Sequence, residues 1–204
     1  SEGTVRDFHA LLRTIFPYAE YTPKDSVAEK IPFARFKVDV RPEIITTKDL
    51  SLSSEESRGT HLSPREWHEM IAHDPDVVLV DTRNDYETEV GVFQGAIDPQ
   101  IKKFSDFQRY VEEQGLPKDK KLFLYCTGGI RCEKASAWFR HHGFQDVNQL
   151  HGGIIQYARE VKEQGLKPRF LGKNFVFDER MGERITDDVI SSCHQCGSPC
   201  DEHV

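Results

Sequence analysis

The chain has 204 residues, 37% hydrophobic and 30% charged, with a formal net charge of -7. A charge of that sign excludes a protein that is basic all over, so any nucleic acid would have to meet a local patch. No apolar run reaches bilayer-spanning length, and no basic start with an apolar middle marks a signal peptide. Ser1 in place of Met points to a trimmed start.

Residues 1–50 read as a small α+β piece. Phe8, Leu11, Leu12, Ile15 and Phe16 have helical spacing between Val5 and Phe16. Phe36, Val38 and Val40 alternate, which predicts a strand within 31–45 that ends at Pro42. Residues 51–62 have the Ser, Glu and Gly content of a linker. Ser63, Pro64 and Glu66 then supply an N-cap, a first helical residue and a capping-box partner. Trp67, Met70 and Ile71 form the apolar face of that helix.

Between 63 and 165, strands and helices alternate. Val77–Val80 is a β-branched run ending in Asp81-Thr82-Arg83. A short helix near 86–90, a tight loop from Gly91 leading into a short strand, and a helix over 104–114 follow. Lys121–Tyr125 is the next strand, 132–140 a helix, Val147–Leu150 a strand and 154–164 the last helix. This order predicts a mostly parallel sheet covered on both faces, with its site at the C-terminal ends of the strands.

One such end carries Cys126-Thr127-Gly128-Gly129-Ile130-Arg131. A Gly-containing loop between a strand and a helix turns its N–H groups to one point and favours an anion there. A cysteine at its start gains acidity, and the thiolate is the nucleophile. Cysteine phosphatases have five residues between Cys and Arg; here there are four, a ring sized for sulfur rather than phosphate. Arg131 either holds an anionic substrate or braces the loop. Cys132 is a candidate resolving thiol, or a packing residue beneath the loop.

Residues 166–204 mix cations with aromatics and end in a Cys-rich tail. Lys173, Arg180 and Arg184 are candidate RNA contacts beside Phe170, Phe175 and Phe177. Cys193, Cys196, Cys200 and His203 are ligand types suited to zinc, though four within eleven residues are crowded; reduced thiols are the alternative. The five cysteines are odd in number and fall in two groups, which fits a reducing, cytoplasmic setting better than a secreted disulfide framework. No flavin, iron or nucleotide motif is evident.

Asp81-Thr82-Arg83 with Glu87, the Cys126–Arg131 loop and Leu150-His151-Gly152-Gly153 resemble the rhodanese domain in order and spacing. The run from Tyr125 to Lys134, Gly153–Arg159, Gly172–Arg184 and the Cys193–Cys200 tail are similar to the bacterial tRNA uridine(34) hydroxylase family. The resemblance implies a rhodanese-like α/β domain with a central parallel sheet and helices on both faces. It also implies part of an acylphosphatase-like α+β domain before it and a Cys-rich tail after it. It further implies hydroxylation of the wobble uridine in the tRNA anticodon to 5-hydroxyuridine, with molecular oxygen as co-substrate and the essential cysteine at Cys126. Asp81 and Arg83 would support the active loop from the neighbouring strand. A sulfurtransferase working through a Cys126 persulfide is the alternative. Val92 and Tyr157 depart from the His and Trp found in many rhodaneses.

Overall fold

A computed structural model of the chain describes residues 2–19, 31–33, 35, 39–46 and 58–202. It divides into two compact units, Ser1–Ala34 and Arg35–Val204. The first contains helix α1, Glu2–Ile15, which matches the apolar spacing of that segment. The strand expected within 31–45 is absent among the described residues, where 39–46 are bends and Val40 is fully exposed; Phe36 and Val38 lie outside them. Arg41 and Pro42 with Asp39 make this stretch too polar to pay back a strand's ordering cost.

The second unit is built on a four-stranded parallel sheet in the order β1-β5-β4-β2. Its strands are β1 (Thr60–Leu62), β2 (Val77–Asp81), β4 (Lys121–Tyr125) and β5 (Asp146–Leu150). The last three residues of the expected 51–62 linker are therefore an edge strand, in register with Asn148–Leu150. Thr60 and His61 hid it, because an edge strand can keep polar side chains that read as linker.

Alternation along β4 assigns the two faces. Leu122 and Leu124 meet helices α4 (Phe107–Gln114) and α5 (Ile130–His141) through Phe107, Val111, Trp138 and Phe139. Phe123 and Tyr125 meet helices α2 (Pro64–His73) and α6 (Gly153–Glu163) through Trp67, Ile154, Tyr157 and Val161. The expected capping box at the start of α2 is formed: Glu66 N–H donates to Ser63 Oγ, and Ser63 N–H donates to Glu66 Oε2 at 2.9 Å. The tight loop expected from Gly91 is instead a strand over Gly91–Phe93, because it pairs with Phe170–Gly172, and the strand expected after it is reduced to a single parallel bridge from Ile97 to Val80.

A second sheet joins the 166–204 segment to the body. Strand β3 (Gly91–Phe93), which follows the short helix α3 (Asp85–Thr88), pairs antiparallel with β6 (Phe170–Asn174). β6 in turn pairs with β7 (Glu183–Arg184). Phe170 is fully buried and packs edge-on against Phe93 at 5.3 Å. Beyond β7 the chain turns tightly at Cys193–Gly197, where Gly197 N–H donates to Cys193 O at 2.8 Å. Cys200 N–H then returns to Ser191 O at 3.0 Å.

Candidate active site

Parallel pairing places the ends of β2, β4 and β5 side by side, and three loops meet there. Cys126 directly follows β4 and is fully buried. Its carbonyl accepts from Ile154 N–H at 3.0 Å, and that of Thr127 accepts from Ile155 N–H at 3.2 Å, so α6 begins on the active loop itself. Gly153 makes this approach feasible. Its φ is +67°, and a Cβ there would stand 2.6 Å from the carbonyl oxygens of both Cys126 and Thr127. Gly129 also has positive φ, +95°, and starts α5 two residues before the sequence pattern suggested.

The loop turns its amides inward. Gly129 N–H donates to Cys126 Sγ at 3.1 Å. Burial alone would push the thiol up. The Cys132 S–H, the Arg131 charge and the N–H groups of Arg131 and Gly129 outweigh it and bring Cys126 down to about 5. Cys132 moves the other way: burial and the adjacent Cys126 sulfur hold it well above the ordinary thiol range. Cys132 lies buried beneath the loop, with Thr82 Oγ1 3.7 Å from its sulfur.

Arg131 braces the loop through a residue that the sequence pattern noted only as part of the rhodanese resemblance. Glu87 is fully buried at the end of α3 and takes both arms of the guanidinium, with Nη2 2.7 Å from Oε1. It also accepts from Thr127 Oγ1 at 3.0 Å and from Asn84 N–H at 3.1 Å. Burial would raise the Glu87 carboxyl, but Arg131 and then Arg83 hold it below its ordinary value.

Asp81 and Arg83 stand behind this pair with no exposed surface. Arg83 Nε and Nη2 reach Asp81 at 3.0 and 2.7 Å. Nη2 also donates to Gly91 O at 2.6 Å, and Nη1 to Glu87 O at 3.3 Å. One guanidinium therefore ties β2 to α3 and to the second sheet, a role no surface ion pair could fill.

Above Cys126 opens a cavity of about 690 Å³. Thr127, Gly128 and Arg131 line its floor with Cys126, while Phe104, Tyr86, Ile130 and Phe177 form its walls. Every residue of the predicted loop is thus at one site.

The other candidates lie elsewhere. Lys173 Nζ pairs with Asp201 Oδ1 at 2.8 Å, and Arg184 Nη2 reaches both Asp201 oxygens at 2.7 and 3.0 Å. Arg180 Nη2 pairs with Asp178 at 2.6 Å. These three candidate cations therefore hold acidic residues of their own segment. Among the described residues, no group of three or more His, Cys, Asp or Glu side chains is placed to hold a metal ion. Cys200 Sγ faces Glu202 O at 3.9 Å, and His203 lies outside the described residues. No described helix is long and apolar enough to cross a membrane.

Comparison with known proteins agrees with this geometry. The rhodanese-like domain family matches residues 63–160, and the rhodanase C-terminal family matches 171–204. The chain is 57% identical over 147 residues to a protein of Erwinia tasmaniensis named tRNA uridine(34) hydroxylase, covering 72% of this chain and 42% of that protein. A protein of the same name from Cronobacter sakazakii is 58% identical over 147 residues, with the same coverage. The chain thus spans about two fifths (42%) of the length of these curated relatives. Among solved structures, the polysulfide-sulfur transferase homodimer of Wolinella succinogenes is similar with a TM-score of 0.44 and 20% identity, over 55% of this chain and 80% of that one. With a cysteine loop closed by a buried Arg–Glu pair, the chain carries a rhodanese-like domain, and along the matched stretch it is similar to proteins named tRNA uridine(34) hydroxylase.

Proposed function

We propose that this chain takes part in oxygen-dependent hydroxylation of the wobble uridine of tRNA to 5-hydroxyuridine, with the Cys126 thiolate as its reactive group. The observation that carries this reading is the acidified thiolate of Cys126 at the floor of an open cavity of about 690 Å³. It is supported by relatives of more than half identity that are named for that reaction. The cavity suits a base that has left its stack, as chemistry on an RNA base requires. Arg131 serves by holding the loop and lowering the Cys126 thiol rather than by binding phosphate, because Glu87 occupies its guanidinium.

The test is nucleoside analysis by mass spectrometry of tRNA treated in air, with an added two-electron donor that takes the second oxygen atom to water, and with the wild-type chain or Cys126→Ser. 5-hydroxyuridine should appear with the wild type and be lost with the variant. Equal amounts with both would sink the reading.

A second reading has its own support. An amide ring that places Gly129 N–H 3.1 Å from Sγ also suits a persulfide, so Cys126 is equally placed to carry sulfur to an acceptor thiol or cyanide. Turnover of thiosulfate and cyanide with no change in tRNA would favour it.

A further inference from the structure

The walls of the cavity have a feature that the reactive cysteine does not require. Phe177 is 60% exposed, Ile130 47% and Tyr86 37%, and all three line the space above Cys126. These are large apolar surfaces left facing water beside a fully buried Cys126. They are also held in place. Phe175, itself buried, stands edge-on to Tyr86 at 5.2 Å and to Phe177 at 5.3 Å. Asn84 Nδ2 donates to Tyr86 Oη at 3.0 Å, which fixes that ring further. The Arg131 guanidinium lies 5.9 Å from the Phe177 ring centre, so the wall is tied to the loop that positions Cys126.

Fixed, exposed rings beside a reactive group are what an unpaired base stacks on, and stacking tolerates any base because each has a π-face. Lys103 lines the same cavity, which gives an anionic backbone a cation at the edge of an otherwise acidic protein. A cavity of about 690 Å³ leaves room for a ribose with the base.

We propose that Phe177, backed by Phe175 and flanked by Tyr86 and Ile130, is the seat on which one unstacked pyrimidine of the RNA lies above Cys126. This rests on the tRNA reading given above and names the positioning residue within it. Phe177 takes no part in bond making; it holds the base over the sulfur.

The test uses the full chain and two anticodon stem-loop RNAs, one with uridine at the wobble position and one abasic there. Affinity is measured at fixed salt for the wild type, Phe177→Ala and Phe177→Tyr. The wild type should bind the uridine RNA about tenfold more tightly than the abasic one. Phe177→Ala should bind both at the abasic level, and Phe177→Tyr should restore the preference. An unchanged thermal midpoint shows that the alanine variant is folded. If Phe177→Ala weakens both RNAs by one factor, or neither, the seat is overturned. Binding with the expected coupling but no hydroxylated product keeps the seat and removes the hydroxylase reading. Absence of binding to either RNA by the wild type overturns both.

Discussion

Arg131 and Glu87 form a two-armed ion pair with almost no exposure to water, and the active loop is closed by it rather than by substrate. Removing one partner strands the other charge in a dry site. Arg131→Met should therefore destabilise the fold by about 3–5 kcal/mol, whereas the paired change Arg131→Met with Glu87→Leu should recover much of the loss. Urea denaturation of the wild type and of both variants measures this. A single variant as stable as wild type would show the pair to be dispensable.

The acidity of Cys126 makes a pH prediction. Its thiol lies near about 5, so above that the thiolate is already formed. Alkylation by iodoacetamide should be nearly flat from pH 7 to 8.5 and halve close to pH 5, whereas an ordinary thiol would accelerate about tenfold for each unit below its pKa of about 8.5. Cys132→Ala removes a donor to that thiolate and should move the midpoint upward.

Glu87 sets the acid limit of the site. Its folded value lies below the ordinary 4.5, so its contribution is complete above 4.5 and is lost as pH falls through the lowered folded value. Unfolding of the wild type should therefore steepen in its pH dependence below about 4.5. Glu87→Gln, lower in stability throughout, should show a shallower slope there.

The two glycines of the site should respond in opposite ways. Gly153→Ala forces a Cβ against two carbonyl oxygens at 2.6 Å in a left-handed backbone, and should cost several kcal/mol or leave the protein unfolded. A Cβ at Gly128 meets no atom within 4 Å, so Gly128→Ala should keep the wild-type thermal midpoint. Because Gly128 lines the cavity floor, that variant should still slow attack on Cys126 by bulky reagents more than by small ones.

The C-terminal turn should be released by a single change. Asp201 is the shared partner of Lys173 and Arg184. Asp201→Asn should expose 190–202 to limited proteolysis while leaving Cys126 alkylation as in the wild type. Equal cleavage of both proteins would argue against the clasp.

The strands and the loop were legible in the sequence because both signals are local. Val77–Val80 and Lys121–Tyr125 are continuous apolar runs, and Cys126–Arg131 carries its glycines in one stretch. What stayed hidden depends on distant partners. Thr60–Leu62 is a strand only because Asn148–Leu150 lies beside it. Lys173 and Arg184 look like an RNA-facing patch until Asp201, 28 and 17 residues away, is seen to hold them. Glu87 and Arg131 are 44 residues apart, and no periodicity links them.

The two family segments, 63–160 and 171–204, meet between α6 and β6, yet the physical ties run straight across that seam. Arg169 N–H donates to Tyr157 Oη at 3.0 Å, Phe170 closes the core over Phe93, and the Arg83 guanidinium sits 5.6 Å from the centre of the Phe170 ring. The two matched segments should therefore melt in a single calorimetric transition. A fragment trimmed at residue 160 would keep every atom of the reactive loop and still lose the wall that packs against Arg83, leaving an intact motif in a body too loose to hold it.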